Sequence, residues 1–209
     1  MGSMGSIGRD NITGLILAGG KATRMGGVDK GLAQCLGEPM ALRALKRLGP
    51  QVASVMISAN RNAEAYSSFG CPVFRDDEPG FQCPLAGVLT ALRRCPTPYL
   101  LTIPCDSPFV PLDLASRMAG MMERGGCGAV FAASIERSEG KTWTQAQPVF
   151  NMLPTSCADS LEAYLAKGKR KILTWGATQG LGVARFDDPL GFANCNTVEA
   201  LRAIEAEAR

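Results

Sequence analysis

Residues 15–31 read Leu-Ile-Leu-Ala-Gly-Gly-Lys-Ala-Thr-Arg-Met-Gly-Gly-Val-Asp-Lys-Gly, an apolar run that breaks into a glycine-rich, cationic segment. A short apolar run closed by glycines reads as a buried strand, here residues 13–18. Gly19, Gly20, Gly26 and Gly27 can adopt backbone angles that a Cβ forbids, so consecutive N–H groups can close around phosphate oxygens. Lys21, Arg24 and Lys30 set three positive charges against the single negative charge of Asp29. A triphosphate is the partner such a loop favours. Neither Gly-x-x-x-x-Gly-Lys-Ser/Thr nor Gly-x-Gly-x-x-Gly occurs in the chain, which argues against a P-loop ATPase and a standard dinucleotide fingerprint.

Outward from this loop, apolar runs alternate with amphipathic stretches, the pattern of a sheet covered by helices on both faces. Strands are expected at 52–58, 71–74, 99–103, 129–135, 147–150 and 183–186. Helices are expected from Pro39 to 48, over 63–69, from Pro84, from Pro111 and around Leu161, Tyr164 and Leu165, with a last one capped by Asn196 and Glu199. The expected fold class is α/β: a three-layer, Rossmann-like nucleotidyltransferase fold with a mainly parallel central sheet. A flexible leader over 1–11 would precede a single domain over 12–209.

With 46% hydrophobic and 20% charged residues, the 209-residue chain is of globular composition. No apolar run approaches the roughly 20 residues needed to cross a bilayer. The leader Met-Gly-Ser-Met-Gly-Ser formally matches an N-myristoylation pattern but lacks the apolar core of a secretion signal. A net charge of +3, without basic residues interleaved with aromatics, gives no nucleic-acid groove. Eight cysteines without a Cys-x-x-Cys pair, and no histidine, exclude the usual zinc frameworks. Reduced thiols in a cytoplasmic protein are expected.

Ligands of open α/β sheets bind at the carboxyl ends of the strands. The loop after the first strand, Asp76 after the third and Asp106 after the fourth fall there. Asp106 is the candidate metal ligand, because magnesium takes only one or two carboxylates together with phosphates and water. Lys30 and Arg24 are the candidates for stabilising charge on a departing pyrophosphate. The missing histidine fits a phosphate nucleophile, which is already largely dianionic at pH 7 and needs no general base.

The loop resembles the signature of nucleotidyltransferases that begin Leu-Ala-Gly-Gly-x-x-x-Arg-Met-Gly and continue with Asp-Lys. Ser-Ala-Asn-Arg at 58–61, Asp76, Pro-Leu-Ala-Gly at 84–87, Pro-Cys-Asp at 104–106, Gln-Pro at 147–148 and Asn-Cys-Asn-Thr at 194–197 follow in the order seen in the MobA-like family of molybdenum cofactor guanylyltransferases. The resemblance implies transfer of GMP from GTP to the phosphate of Mo-molybdopterin, with Mg2+ as cofactor. It implies catalytic roles for Arg24, Lys30 and Asp106. It implies nucleotide contacts from Leu17, Ala18, Gly19, Gly20, Lys30, Ser58, Asp76 and Asp106, metal binding by Asp106, and molybdopterin contacts from Asn194 and Asn196. The N-terminal half would then bind GTP and the C-terminal part molybdopterin. A monomer is expected, with transient contacts to other cofactor-biosynthesis proteins and acceptor apoenzymes, and no nucleic-acid or membrane partner.

Ser58 stands where some relatives carry asparagine, and Gln147 where some carry histidine. A CTP-dependent or sugar-phosphate transferase and a non-catalytic nucleotide or pterin carrier stay open as alternatives. The basic residues Lys167, Lys169, Arg170 and Lys171 read either as a guide for an anionic acceptor or as a solvated helix end.

Overall fold

In the computed structural model, which describes residues 6–18, 29–76 and 84–195, Ile12–Leu17 forms a strand, β1, buried along nearly its whole length. A two-residue hairpin follows, β2 (Gln34–Cys35) and β3 (Glu38–Pro39), then helix α1 (Met40–Leu48) and β4 (Ser54–Ser58). Next come α2 (Ala63–Ser67), β5 (Val73–Phe74), α3 (Pro84–Arg94) and β6 (Tyr99–Pro104). Helix α4 (Leu114–Gly125) leads to β7 (Ala129–Ser138) and β8 (Lys141–Pro154). Helices α5 (Ala158–Ala166) and α6 (Ile172–Thr178) precede β9 (Leu181–Phe186).

The seven-stranded sheet runs β5-β4-β1-β6-β8-β7-β9. Only β8 runs against its neighbours; the pairs β4/β5, β1/β4, β1/β6 and β7/β9 are parallel. Because β8 is antiparallel to both β6 and β7, the carboxyl ends of β6 and β7 point the same way. One face of the sheet packs Ile12, Ile16, Leu101, Ile103 and Val130 against α1 and α4. The other packs Leu15, Leu100, Ala129 and Phe131 against α3, α5 and α6. This is the expected three-layer α/β arrangement with a mainly parallel sheet. Burial of both faces also explains why β1 reads as a continuous apolar run rather than an alternating one.

Several boundaries depart from the sequence pattern. The helices expected from Pro39 and Pro111 begin at Met40 and Leu114. In the second case the intervening turn is held by Gln51, whose Oε1 accepts the Ala115 N–H at 3.0 Å. The strand expected over 147–150 is the inner part of a 14-residue strand, with an irregularity where the register passes from Phe131/Asn151 to Ala132/Gln147. Helix α6 and the β2/β3 hairpin were not expected. Within the stretch 1–11, read as a leader, Arg9–Asn11 forms a 3-10 turn and Arg9 Nε donates to Val52 O at 2.9 Å. The expected C-terminal helix after Asn196 lies outside the described residues, as does Cys83. Seven cysteines lie among the described residues, and none of them is disulfide-bonded to another. Among those residues no helix is long and apolar enough to cross a membrane.

Candidate active site

Four strand ends converge. The Ala18 N–H donates to Ser58 O at 2.8 Å, Cys105 N–H to Leu17 O at 3.1 Å, and Ala59 N–H to Phe74 O at 2.9 Å. These main-chain bonds carry the ladder one residue past β1, β4 and β6, so Leu17, Ala18, Ser58, Asp76 and Asp106 come to one rim of the sheet, where open α/β sheets bind ligands.

At the β6 end, Lys30 Nζ pairs with Asp106 Oδ2 at 3.4 Å, the two side chains being 26% and 13% exposed, half-withdrawn but still open to a ligand. Lys30 opens a 3-10 turn, Lys30–Leu32, whose cap is Asp29. Asp29 is the most connected side chain here: its carboxylate accepts from Tyr66 OH at 2.6 Å, Asn62 Nδ2 at 3.0 Å and Gly31 N–H at 3.2 Å. Gly31 must be a glycine, since a Cβ there would collide with the Tyr66 hydroxyl and press on Cys105 at 3.1 Å. Burial, then the nearby Cys105 thiol and Asp29, pushes the Tyr66 hydroxyl far above its usual range, so it stays a donor to Asp29. Burial, reinforced by Asp106 and Asp29, likewise keeps Cys105 a neutral thiol. Cys105 is a small hydrophobe of the wall rather than a reacting group.

Three strands away, Asp76 forms a second polar cluster. Its Oδ1 accepts from Ser58 Oγ at 2.8 Å, its Oδ2 from Asn60 Nδ2 at 2.9 Å, and its N–H donates to Asn60 Oδ1 at 3.0 Å. Gly87 of α3 lies against it, since a Cβ there would stand 2.8 Å from Ser58 Oγ, 2.9 Å from Asp76 Oδ1 and 3.1 Å from Leu17 Cδ2. With strands about 4.8 Å apart, β5 and β6 are separated by roughly 14 Å, the scale of an extended nucleoside triphosphate.

A third group arrives from the far end of the chain. Past β9 the chain returns across the α1/α4 face of the sheet, where Phe192 meets the rings of Phe150 at 4.8 Å and Phe186 at 5.0 Å. Asn194 Oδ1 then accepts from Ser107 Oγ at 3.0 Å, and Cys195 N–H donates to Asp106 O at 3.0 Å. Asn194 therefore sits beside the residue following Asp106.

Of the residues expected from sequence, Leu17, Ala18, Lys30, Ser58, Asp76, Asp106 and Asn194 are brought to this rim. Gly19, Gly20, Lys21, Arg24, Gly26, Gly27 and Asn196 lie outside the described residues. Asp29, Asn60, Asn62 and Tyr66 were missed as positioning residues. Asp29 adjoins Lys30 and Asn60 lies within the quoted Ser-Ala-Asn-Arg run, so both were within reach, whereas Tyr66 carries no local signal. After helix α5, Arg170 donates to Leu165 O at 2.8 Å and Lys169 lies 5.6 Å from the Tyr164 ring centre.

Among the described residues no group of three or more His, Cys, Asp or Glu could hold a metal. A carboxylate, Asp106, paired with the Lys30 ammonium fits a magnesium ion that arrives with phosphates and keeps its waters, and does not fit a caged structural metal.

A family model for the MobA-like NTP transferase domain matches residues 14–180. A molybdenum cofactor guanylyltransferase of Cupriavidus taiwanensis is 51% identical over 200 residues, covering 96% of this chain and 99% of that protein. One from Ralstonia nicotianae is 51% identical over 204 residues, covering 97% and 100%. Among solved structures, a molybdopterin-guanine dinucleotide biosynthesis protein A from Archaeoglobus fulgidus superposes with a TM-score of 0.73 at 22% identity, covering 94% and 98%. A CMP:2-keto-3-deoxy-manno-octonic acid synthetase complexed with CTP gives 0.74 at 12% identity, covering 95% and 98%. At those identities the two structures speak to the fold alone.

Proposed function

The chain belongs to the MobA-like NTP transferase family, a family of nucleotidyltransferase enzymes, and we propose that it transfers GMP from GTP to the terminal phosphate of Mo-molybdopterin. The products are the molybdopterin guanine dinucleotide cofactor and pyrophosphate. The identity of both substrates comes from the name that its near-full-length relatives carry. One geometric observation supports the chemistry: Lys30 meets Asp106 at 3.4 Å while Asn194 is bonded to the adjacent Ser107, so the residues assigned to donor and acceptor meet at neighbouring positions after β6.

In this reading the GTP tail lies along the ends of β1 and β6 at Leu17 and Ala18, and Gly19, Gly20 and Arg24 are assigned to it from the sequence. Lys30 exchanges its carboxylate partner for a phosphate oxygen. Asp106 would hold magnesium, which neutralises phosphate charge and lowers the cost of bringing two polyanions together. Ser58, Asn60 and Asp76 take the nucleoside end. Asn194 takes the acceptor side, to which the resemblance also assigns Asn196. An oxygen of the acceptor phosphate forms a bond to the α-phosphorus, and the bond from that phosphorus to the α,β-bridging oxygen breaks. Pyrophosphate leaves with the electron pair. With the nucleophile already ionised, the protein needs to align and neutralise, not to abstract a proton.

Pyrophosphate release from GTP that depends on added Mo-molybdopterin and magnesium is the deciding assay. Release with CTP in preference to GTP would replace the guanylyl reading by the cytidylyl one. Binding of both substrates without release would leave only a carrier.

The Gly87 packing gives a sharper check of the nucleoside end. Gly87→Ala is expected to wedge Ser58 from Asp76 and raise the KM for GTP about 10-fold, the scale of one hydrogen bond to a charged group. The circular dichroism spectrum and the rate at saturating GTP should change little. An unaltered KM would remove Ser58 and Asp76 from the nucleotide site.

A further inference from the structure

Resting on the transferase reading above, we propose that Trp143 is the stacking platform for the acceptor's flat bicyclic pterin. Beyond Ser134, β7 loses its pairing with β9, because Ser134 is matched to Phe186, the last residue of that strand. What continues is a two-stranded ribbon of β7 and β8, joined through Glu139 and Gly140, both at positive φ (49° and 74°), in a tight hairpin turn. Since the carboxyl end of β7 lies at the same rim as that of β6, the ribbon extends outward from the candidate site.

The register fixes which side chains share a face. Ala132 is opposite Gln147, Ser134 opposite Gln145 and Glu136 opposite Trp143. Cross-strand partners lie on one face and alternate residues return to it. Ala132 belongs to the core face shared with Phe150, Phe186 and Phe192. The row Gln147, Gln145, Trp143 therefore continues outward the face that the Asn194 segment crosses. It is a polar row, since Gln147 Nε2 donates to Ser134 Oγ at 3.0 Å. It ends in a tryptophan that is 45% exposed, on a ribbon whose other residues from Arg137 to Ala146 are all exposed and none of them aromatic. Four residues of strand place Trp143 about 13 Å beyond Gln147. An acceptor with its phosphate near Asp106 and its ring system along this row offers hydrogen-bonding edges to the glutamines and a π-face to the indole. The exposed part of the indole costs hydration free energy that a stacked heteroaromatic ring recovers.

The test uses the full chain with GTP, magnesium and Mo-molybdopterin. Trp143→Ala is expected to raise the KM for Mo-molybdopterin on the order of 10-fold, the scale of one lost base-type stack, and to leave the KM for GTP and the melting temperature unchanged. Trp143→Phe should restore most of the affinity. Thr142→Ala, on the opposite face of the ribbon, should match wild type. Mo-molybdopterin should also quench the intrinsic fluorescence, and Trp143→Phe should abolish the quenching, because Trp175 is 1% exposed in the core. Wild-type turnover together with an unchanged acceptor KM in Trp143→Ala overturns the platform and leaves the transferase standing. A wild type that neither turns over nor is quenched overturns both.

Discussion

Asp106→Ala is expected to lower the rate of magnesium-dependent pyrophosphate release by about three orders of magnitude or more, without unfolding the protein. Stabilising charge at a phosphoryl centre through a bound metal contributes several kcal/mol, and each 1.36 kcal/mol is a factor of 10 in rate. The fold survives because the structural role of residue 106 is carried by its main chain: its carbonyl oxygen accepts from Cys195 N–H. Among the described residues the side chain's one ion pair is the half-withdrawn contact with Lys30, whose loss should lower the melting temperature without preventing folding. Asp106→Asn keeps shape and one metal-competent oxygen but removes the charge, so it should lie between wild type and alanine and shift the magnesium dependence to higher concentration. Isothermal titration with magnesium and GTP, run beside the rate assay, separates lost binding from lost chemistry. Wild-type release rates in Asp106→Ala would remove the residue from the reaction.

The position of Asp106 is legible in the sequence for a simple reason. An apolar run ending in Pro-Cys-Asp must end at the rim of the sheet, and parallel sheets put their ligands there. Helix α3 was legible because Leu85, Val88, Leu89 and Leu92 keep the helical period with Pro84 at its start. Short-range rules suffice where one residue's chemistry and its neighbours' period agree.

The rest depended on pairings that no local rule sets. Strand β8 slots between β6 and β7, yet only its inner half is apolar, because its outer half belongs to an exposed ribbon. The pattern therefore showed a four-residue strand and hid Trp143 among polar neighbours. Tyr66 reads as an ordinary amphipathic position of a short helix; only the fold brings its hydroxyl to Asp29, 37 residues away. Helix α6 follows directly on the basic run and includes Gly176, which packs against the Phe131 ring and is tolerated for that contact despite its low helix propensity. The bond from Ser107 to Asn194 spans 87 residues, so Asn194 could be named from resemblance but not placed beside Asp106.

Lys30→Ala should be the second severe lesion, lowering kcat about 100-fold or more while raising the KM for GTP less. A charge-assisted hydrogen bond to phosphate contributes about 1.5–3 kcal/mol, and one aimed at the leaving pyrophosphate strengthens as charge builds there, so its loss falls mainly on the chemical step. Lys30→Arg should not rescue fully, because the planar guanidinium needs a wider approach than a point-like ammonium. The 3-10 turn that carries Lys30 is held by Asp29 and packed through Gly31 against Tyr66 and Cys105, leaving little room for adjustment. If Lys30 and Asp106 act on the same phosphate assembly, as their 3.4 Å approach implies, the double alanine variant should be scarcely slower than the slower single one. Multiplying penalties in the double variant would mean that the two residues serve separate steps, and a single Lys30→Ala variant with unchanged kcat would take the lysine out of the transfer altogether.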